Sequence, residues 1–165
     1  MSSQKILLLF LIALSGIGCD QQSRNSEQND NPRYEAVYDT SKIAVIPFDT
    51  AMRSVFDYSY KKTSLTHQDF VEIDSLLNVC VIDYNNSLPE EGKIDLTKRS
   101  YKKQLIAVKN ANGEKEVWIN CFCYSRDNRW KTLIKGVKDG GNCYFNFKVN
   151  LTLKKYYNLE VNGGP

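Results

Sequence analysis

Six side chains in this sequence carry chemistry worth weighing: five cysteines and one histidine. A thiol can be a nucleophile, a metal ligand, a disulfide partner or the acceptor of a lipid. Cys19 reads as the last of these. Lys5 supplies a positive start, Ile6 to Leu14 an apolar run, and Ser15, Gly16 and Gly18 the small residues of a cleavage site. The apolar run is about half of the ~20 residues that a transmembrane helix needs. A cysteine directly after such a run is what diacylglycerol transfer requires. Gly16 departs from the usual aliphatic residue three positions before that cysteine. An ordinary secretory signal cut at the small residues and an uncleaved anchor are the alternatives. The expectation is a lipoprotein signal over 1–18 and a lipidated Cys19.

Removing Cys19 leaves Cys80, Cys121, Cys123 and Cys143, an even set that suits an oxidising compartment. Cys121 and Cys123 are two apart in a strand-like segment. They would share a face at roughly 6.5–7 Å, beyond easy bridging distance. Each should therefore pair with Cys80 or Cys143, giving two disulfides. The alternatives are one disulfide with buried thiols, or four thiols acting as small core hydrophobes. Zinc is disfavoured because Cys-x-Cys lacks a second close pair. No metal and no cofactor are expected.

His67 sits in the first turn of a helix, where a structural or solvent-facing role fits better than catalysis. A Cys–His nucleophile would need a thiolate beside it, and the cysteines look committed to the core. The sequence has no glycine-rich phosphate loop and no nucleophile elbow. Glu90 and Glu91 are adjacent in a loop and suit solvent. Carboxylate pairs of the glycosidase kind stay open, because their separation is spatial. No catalytic activity is expected.

The elements that must position these groups can be read from periodicity. Asp20 to Arg33 has no apolar side chain except Pro32. Such a segment cannot offset its ordering entropy and reads as a flexible tether spanning roughly 20 Å. Residues 34–165 then form a single domain. Hydrophobic content of 42%, with ten Tyr and seven Phe, is ample for a core. A net charge of +3 with scattered lysines gives no nucleic-acid footprint. Lys154-Lys155 and the stretch Lys98-Arg99 to Lys102-Lys103 read as solvated strand ends.

Thr66 and Asp69 resemble a capping box. Phe70, Ile73, Leu77, Cys80 and Tyr84 recur at helical spacing, widened by Leu76 and Val81. Asp69, Glu72 and Asp74 favour the helix N-terminus, and Asn85-Asn86 with Pro89 end it. The period then changes to two. In Val117–Tyr124 and Cys143–Asn150, the cysteines share a face with aliphatic and Phe residues. Further strands are expected at Gln104–Lys109, Thr132–Val137 and Tyr156–Val161. Asn112-Gly113 and Asp139 to Asn142 supply turns. This predicts an α+β fold: one amphipathic helix on an antiparallel sheet of about five strands. It is a cystatin-like two-layer arrangement, an analogy that carries no function. Upstream, Ile43 to Ile46 reads as an added strand stopped by Pro47. Val55, Phe56, Tyr58 and Tyr60 read as cover for the second sheet face.

That second face is the candidate binding surface. Trp118, Asn120, Phe122 and Tyr124 would lie beside Tyr144, Asn146 and Lys148, an aromatic–polar mixture suited to protein recognition or sugar stacking. The competing reading is that Val55, Phe56 and their neighbours bury this face as ordinary core.

Glu116 to Cys123 (EVWINCFC), Trp130, Asp139 to Phe145 (DGGNCYF), Lys154 to Tyr157 (KKYY) and Leu159 to Gly163 (LEVNG) resemble a group of small uncharacterised lipoproteins of Bacteroidetes-type bacteria. The resemblance reaches back to about Phe48. It implies a lipoprotein with core cysteines and brings no activity. The resulting expectation is a cell-envelope protein held to a membrane by its lipid, on an outer-membrane, periplasmic or surface face. It would act as a binding or interaction module for an envelope or secreted protein, inhibitor-like or immunity-like. The alternative is a lipoprotein that binds a small molecule or carbohydrate.

Overall fold

The computed structural model describes residues 39–49, 52, 54–137 and 139–163; the expected signal peptide, Cys19 and the tether lie outside them. Six strands and one long helix carry the fold. The strands are β1 (Ile43–Val45), β2 (Lys61–Lys62), β3 (Lys102–Lys109), β4 (Lys115–Phe122), β5 (Tyr144–Asn150) and β6 (Lys155–Val161). The helix, α1, spans His67–Asn85. The result is the expected α+β arrangement, a helix layer on a mostly antiparallel sheet.

α1 starts where the sequence says it should. Asp69 N–H donates to Thr66 Oγ1 at 3.3 Å, and Thr66 N–H donates to Asp69 Oδ2 at 2.7 Å. This reciprocal pair satisfies two orphan donors of the first turn. Lys115 Nζ reaches the same Asp69 oxygen at 2.7 Å, tying the helix start to the start of β4. Phe70, Ile73, Leu76, Leu77, Cys80 and Val81 are buried. After the helix, Asn85 clamps the backbone of Ile94 in both directions at 2.8 Å.

The sheet runs β1-β3-β4-β5-β6, with β2 also pairing with β3. β3 through β6 form an antiparallel meander, and α1 covers one of its faces. Leu105, Val117, Ile119, Phe145, Phe147 and Val149 meet the helix there, all at most 1% exposed. Each such side chain contributes roughly 1.5–3 kcal/mol through burial. Asn110 shapes the β3–β4 turn by accepting Asn112 and Glu114 N–H at 3.0 Å, and Gly113 takes φ 80°.

Two details differ from the sequence reading. β1 joins the sheet parallel to β3, because the chain crosses the second face and then forms α1 before β3 begins. Thr132–Val137 is not a strand. Instead a 3-10 turn over Asn128–Lys131 leads into an irregular strap across the second face. The physical reason is that two buried amides take the backbone groups a neighbouring strand would have used. Gln104 Nε2 donates to Trp130 O at 2.5 Å and Leu133 O at 2.7 Å. Its Oε1 accepts Lys135 N–H at 2.8 Å, and Asn120 Nδ2 donates to Lys135 O at 2.9 Å.

Candidate functional site

The aromatic–polar face of β4 and β5 is largely core. Trp118 is 8% exposed, Asn120 8% and Phe122 0%. Val55 and Phe56 pack with Trp118, and Trp130 of the strap packs edge-on to Phe122 with ring centroids 5.6 Å apart. Trp118 Nε1 donates to Asn146 Oδ1 at 3.0 Å, and Lys148 Nζ stands 4.7 Å over the Phe56 ring. Three residues of the expected surface are therefore buried. Tyr144, Asn146 and Lys148 are half-exposed, and Tyr124 stands out at 58%. Tyr58, expected as cover, points to solvent at 78% exposure.

The cysteines divide by register. Cys121 lies opposite Phe145 on β5, so it has no cysteine across the strand pair. One step beyond the β4–β5 ladder, Cys123 N–H donates to Cys143 O at 3.0 Å. These two residues form a disulfide, with Cα atoms 5.3 Å apart. Cys80 and Cys121 are free thiols buried between α1 and the sheet. Where two bridges were expected, the structure closes one. Burial pushes the Cys80 thiol up to about 12, with Asp83 adding to the effect. Burial raises Cys121 as well. Neutral, enclosed thiols of this kind are poor nucleophiles.

At the edge where α1 meets β1 and the start of β3 lies a feature that the sequence reading did not assemble. A hollow of about 460 Å³ opens between α1 and the segment from Leu96 to Lys103. A second, of about 390 Å³, lies toward the start of α1. Lys42, Asp74, Tyr101 and Lys103 border both, so the two read as one cleft. Its volume falls in the ~300–1,000 Å³ range of small-molecule sites. Exposed His67 lines the smaller end, beside Phe70 and Val71.

Four segments build this cleft. The turn before β1 brings Lys42, whose carbonyl accepts Lys103 N–H at 2.7 Å. α1 brings Asp74, paired with Lys103 Nζ at 2.5 Å. The loop before β3 brings Lys98 and Arg99. Asp95 holds this loop, because its Oδ1 accepts the N–H groups of Thr97 and Lys98, both at 2.9 Å. Those bonds hold the Asp95 carboxyl well below the usual range. β3 brings Lys103, whereas neighbouring Lys102 points to the other face, 5.1 Å over Trp130. The stretch expected as a solvated strand end is thus split between two faces, and three of its cations line the cleft.

The cleft walls are tied back to the disulfide. Arg99 Nη1 donates to Asn142 Oδ1 at 2.6 Å, and Tyr101 OH donates to Asn142 O at 2.7 Å. Asn142 Nδ2 in turn donates to Lys93 O at 2.6 Å. Asn142 precedes Cys143 in the chain, so the bridged end of β5 fixes the outer wall. The only sequence signal for this arrangement is the Lys98-Arg99 pair.

Among the described residues, no His, Cys, Asp or Glu side chains gather as a metal site. No helix among them is long and apolar enough to cross a membrane. Searches against protein-family models, curated proteins and solved structures find no match to this chain.

Proposed function

We propose that the chain is a non-catalytic binding module of the cell envelope, held to a membrane through a lipidated Cys19, with its ligand taken up in the cleft beside α1. The observation that carries this reading is the cleft itself. It is bordered by α1, the turn before β1 and the start of β3, and it combines cations with the apolar side chains of Leu77 and Leu96. A concave site with a few convergent polar groups is where a small ligand gains most. The signal-like N-terminus and the resemblance to small lipoproteins support the anchor.

Protein recognition is a second reading, favoured by one observation. Tyr124, just beyond the end of β4, and Leu133 and Ile134, on the strap that crosses the second face, are 58%, 61% and 37% exposed. Exposed aromatic and aliphatic side chains suit a protein partner.

Native mass spectrometry of the chain purified from its own membrane in mild detergent tests both readings. A co-purifying species of small-molecule mass supports the cleft. A one-to-one protein partner displaces that reading in favour of the second. Acyl mass at Cys19 supports the anchor, and an unacylated N-terminus removes it.

A further inference from the structure

We infer that the cleft recognises a small organic anion, a phosphomonoester or carboxylate on a ring-bearing body; this rests on the small-ligand reading above. The larger hollow brings together Lys42, Lys98, Arg99 and Lys103 against a single lining carboxylate, Asp74. The whole chain carries a net charge of only +3. Four cations against one carboxylate therefore make this hollow markedly more positive than an average stretch of the chain.

The cations are not equally committed. Lys103 is paired with Asp74, and Lys98 leans on Asp95 at 3.3 Å. Among the described residues Arg99 has no carboxylate partner. Its Nη1 donates to the neutral amide oxygen of Asn142, which orients the guanidinium without cancelling its charge. Asn142 is itself held by Lys93 O and sits next to the disulfide. A guanidinium fixed in advance suits bidentate contact with phosphate or carboxylate oxygens, and less ordering entropy is lost on binding. Lys42 comes from a separate segment and adds a second positive wall.

The smaller hollow differs in kind. Lys42 and Lys103 are balanced there by Asp39 and Asp74, and Ile43, Phe70 and Val71 supply apolar surface. The two ends together fit a bipartite ligand. Its acid group lies at Arg99, and its body extends toward Phe70 and Val71.

Calorimetric titration of the full chain in neutral detergent tests this. The probes are glucose 6-phosphate, glucuronate and phenyl phosphate, with the neutral parents glucose and phenol, and inorganic phosphate. At least one organic anion should bind, its neutral parent should not, and inorganic phosphate should bind more weakly because it lacks the body. Affinity should fall as salt rises. Arg99→Gln and Lys42→Gln should each weaken binding about tenfold, the size of one hydrogen bond to a charged group, with the circular-dichroism melt unchanged. Val71→Asp should weaken the organic anion and spare inorganic phosphate. A neutral parent that binds as tightly as its anion overturns the inference and leaves the ligand-binding reading standing. So does wild-type affinity for the anion in the Arg99→Gln/Lys42→Gln double variant. No binding by any anion also overturns it; if no small species co-purifies either, the reading beneath it falls as well.

Discussion

Gln104 on β3 and Asn120 on β4 face each other in register, and Asn120 Nδ2 donates to Gln104 Oε1 over 2.9 Å. Gln104 is fully buried, so every polar atom it carries must be paired. Together the two amides hold the backbone of the strap at Trp130, Leu133 and Lys135. Gln104→Ala would leave those groups short of partners. The expected loss is about 2–4 kcal/mol. Urea denaturation measures it, and hydrogen exchange at Lys135 N–H should speed up in the variant. A loss below about 0.5 kcal/mol, the size of a neutral surface change, would show that the strap is held by something else.

Trp118→Ala separates a core face from a recognition face. At 8% exposure, under Phe56 and beside Val108, Trp118 is a packing residue. The variant should lose about 3–5 kcal/mol of stability. Tyr124→Ala, at a position 58% exposed, should stay within about 0.5 kcal/mol of wild type. Paired denaturation curves give both values. Similar losses in the two variants would contradict the layering described here.

The thiols should be silent until the chain opens. An aromatic disulfide reagent at neutral pH should find no reactive thiol in the folded protein. In denaturant it should find two in the described domain, Cys80 and Cys121, with Cys123 and Cys143 appearing only after reduction. Rapid labelling of the folded chain would mean that the layer between α1 and β4 is open.

Asp69 should make the fold sensitive to acid. Burial pushes its carboxyl up, but Lys115 and the Thr66 N–H and hydroxyl outweigh burial and hold it below its ordinary value of 3.8. A depressed carboxyl stabilises the folded state above its unfolded pKa, and that contribution is lost as pH falls through the folded value. Below pH 3.8 the wild type should therefore lose stability more steeply than Asp69→Asn. At neutral pH the variant should be less stable by about 1 kcal/mol, the scale of a lost cap interaction. Denaturation midpoints across this pH range provide the check.

Tyr156 should respond at the other end of the scale. Its hydroxyl donates to Asp83 Oδ2 at 2.7 Å, joining β6 to α1. That bond, followed by burial and the Asp83 charge, raises the phenol from 10.0 to about 12. The contribution is complete below pH 10 and disappears as pH rises through about 12. Tyr60, Tyr101 and Tyr157 are raised as well, so ultraviolet titration should show a late group of tyrosines, and changing Asp83 to Asn should give one member of it an earlier shift, toward 10. Its absence would mean that β6 and α1 are not joined there.

These contrasts show what a sequence can carry. The helix was legible because Thr66–Asp69 and the Phe70-to-Tyr84 stripe are local patterns with one physical meaning each. Strands β3 to β6 were legible because alternation reports two faces. The strap was misread as a strand because its partners, Gln104 and Asn120, are distant in sequence, and an amide inside a strand gives no local sign of what it will hold. The disulfide count failed for a related reason. Spacing separated Cys121 from Cys123, but only the β4–β5 register decides which of them meets Cys143. The cleft was illegible because Lys42, Asp74, Arg99 and Lys103 lie on four separate segments. Only the parallel docking of β1 brings Lys42 to the others.

That parallel pairing also sets an order of events in time. The meander from β3 to β6 closes through short connections and neighbouring strands, which form quickly. Ile43–Val45 must wait for Lys103–Leu105, far downstream, before it has anything to pair with. In vectorial emergence from a ribosome, this early segment must thus wait through the appearance of β2 and α1 before its partner strand arrives. Until then its apolar residues are available to chaperones. The wall that carries Lys42 is completed only once β3 has emerged.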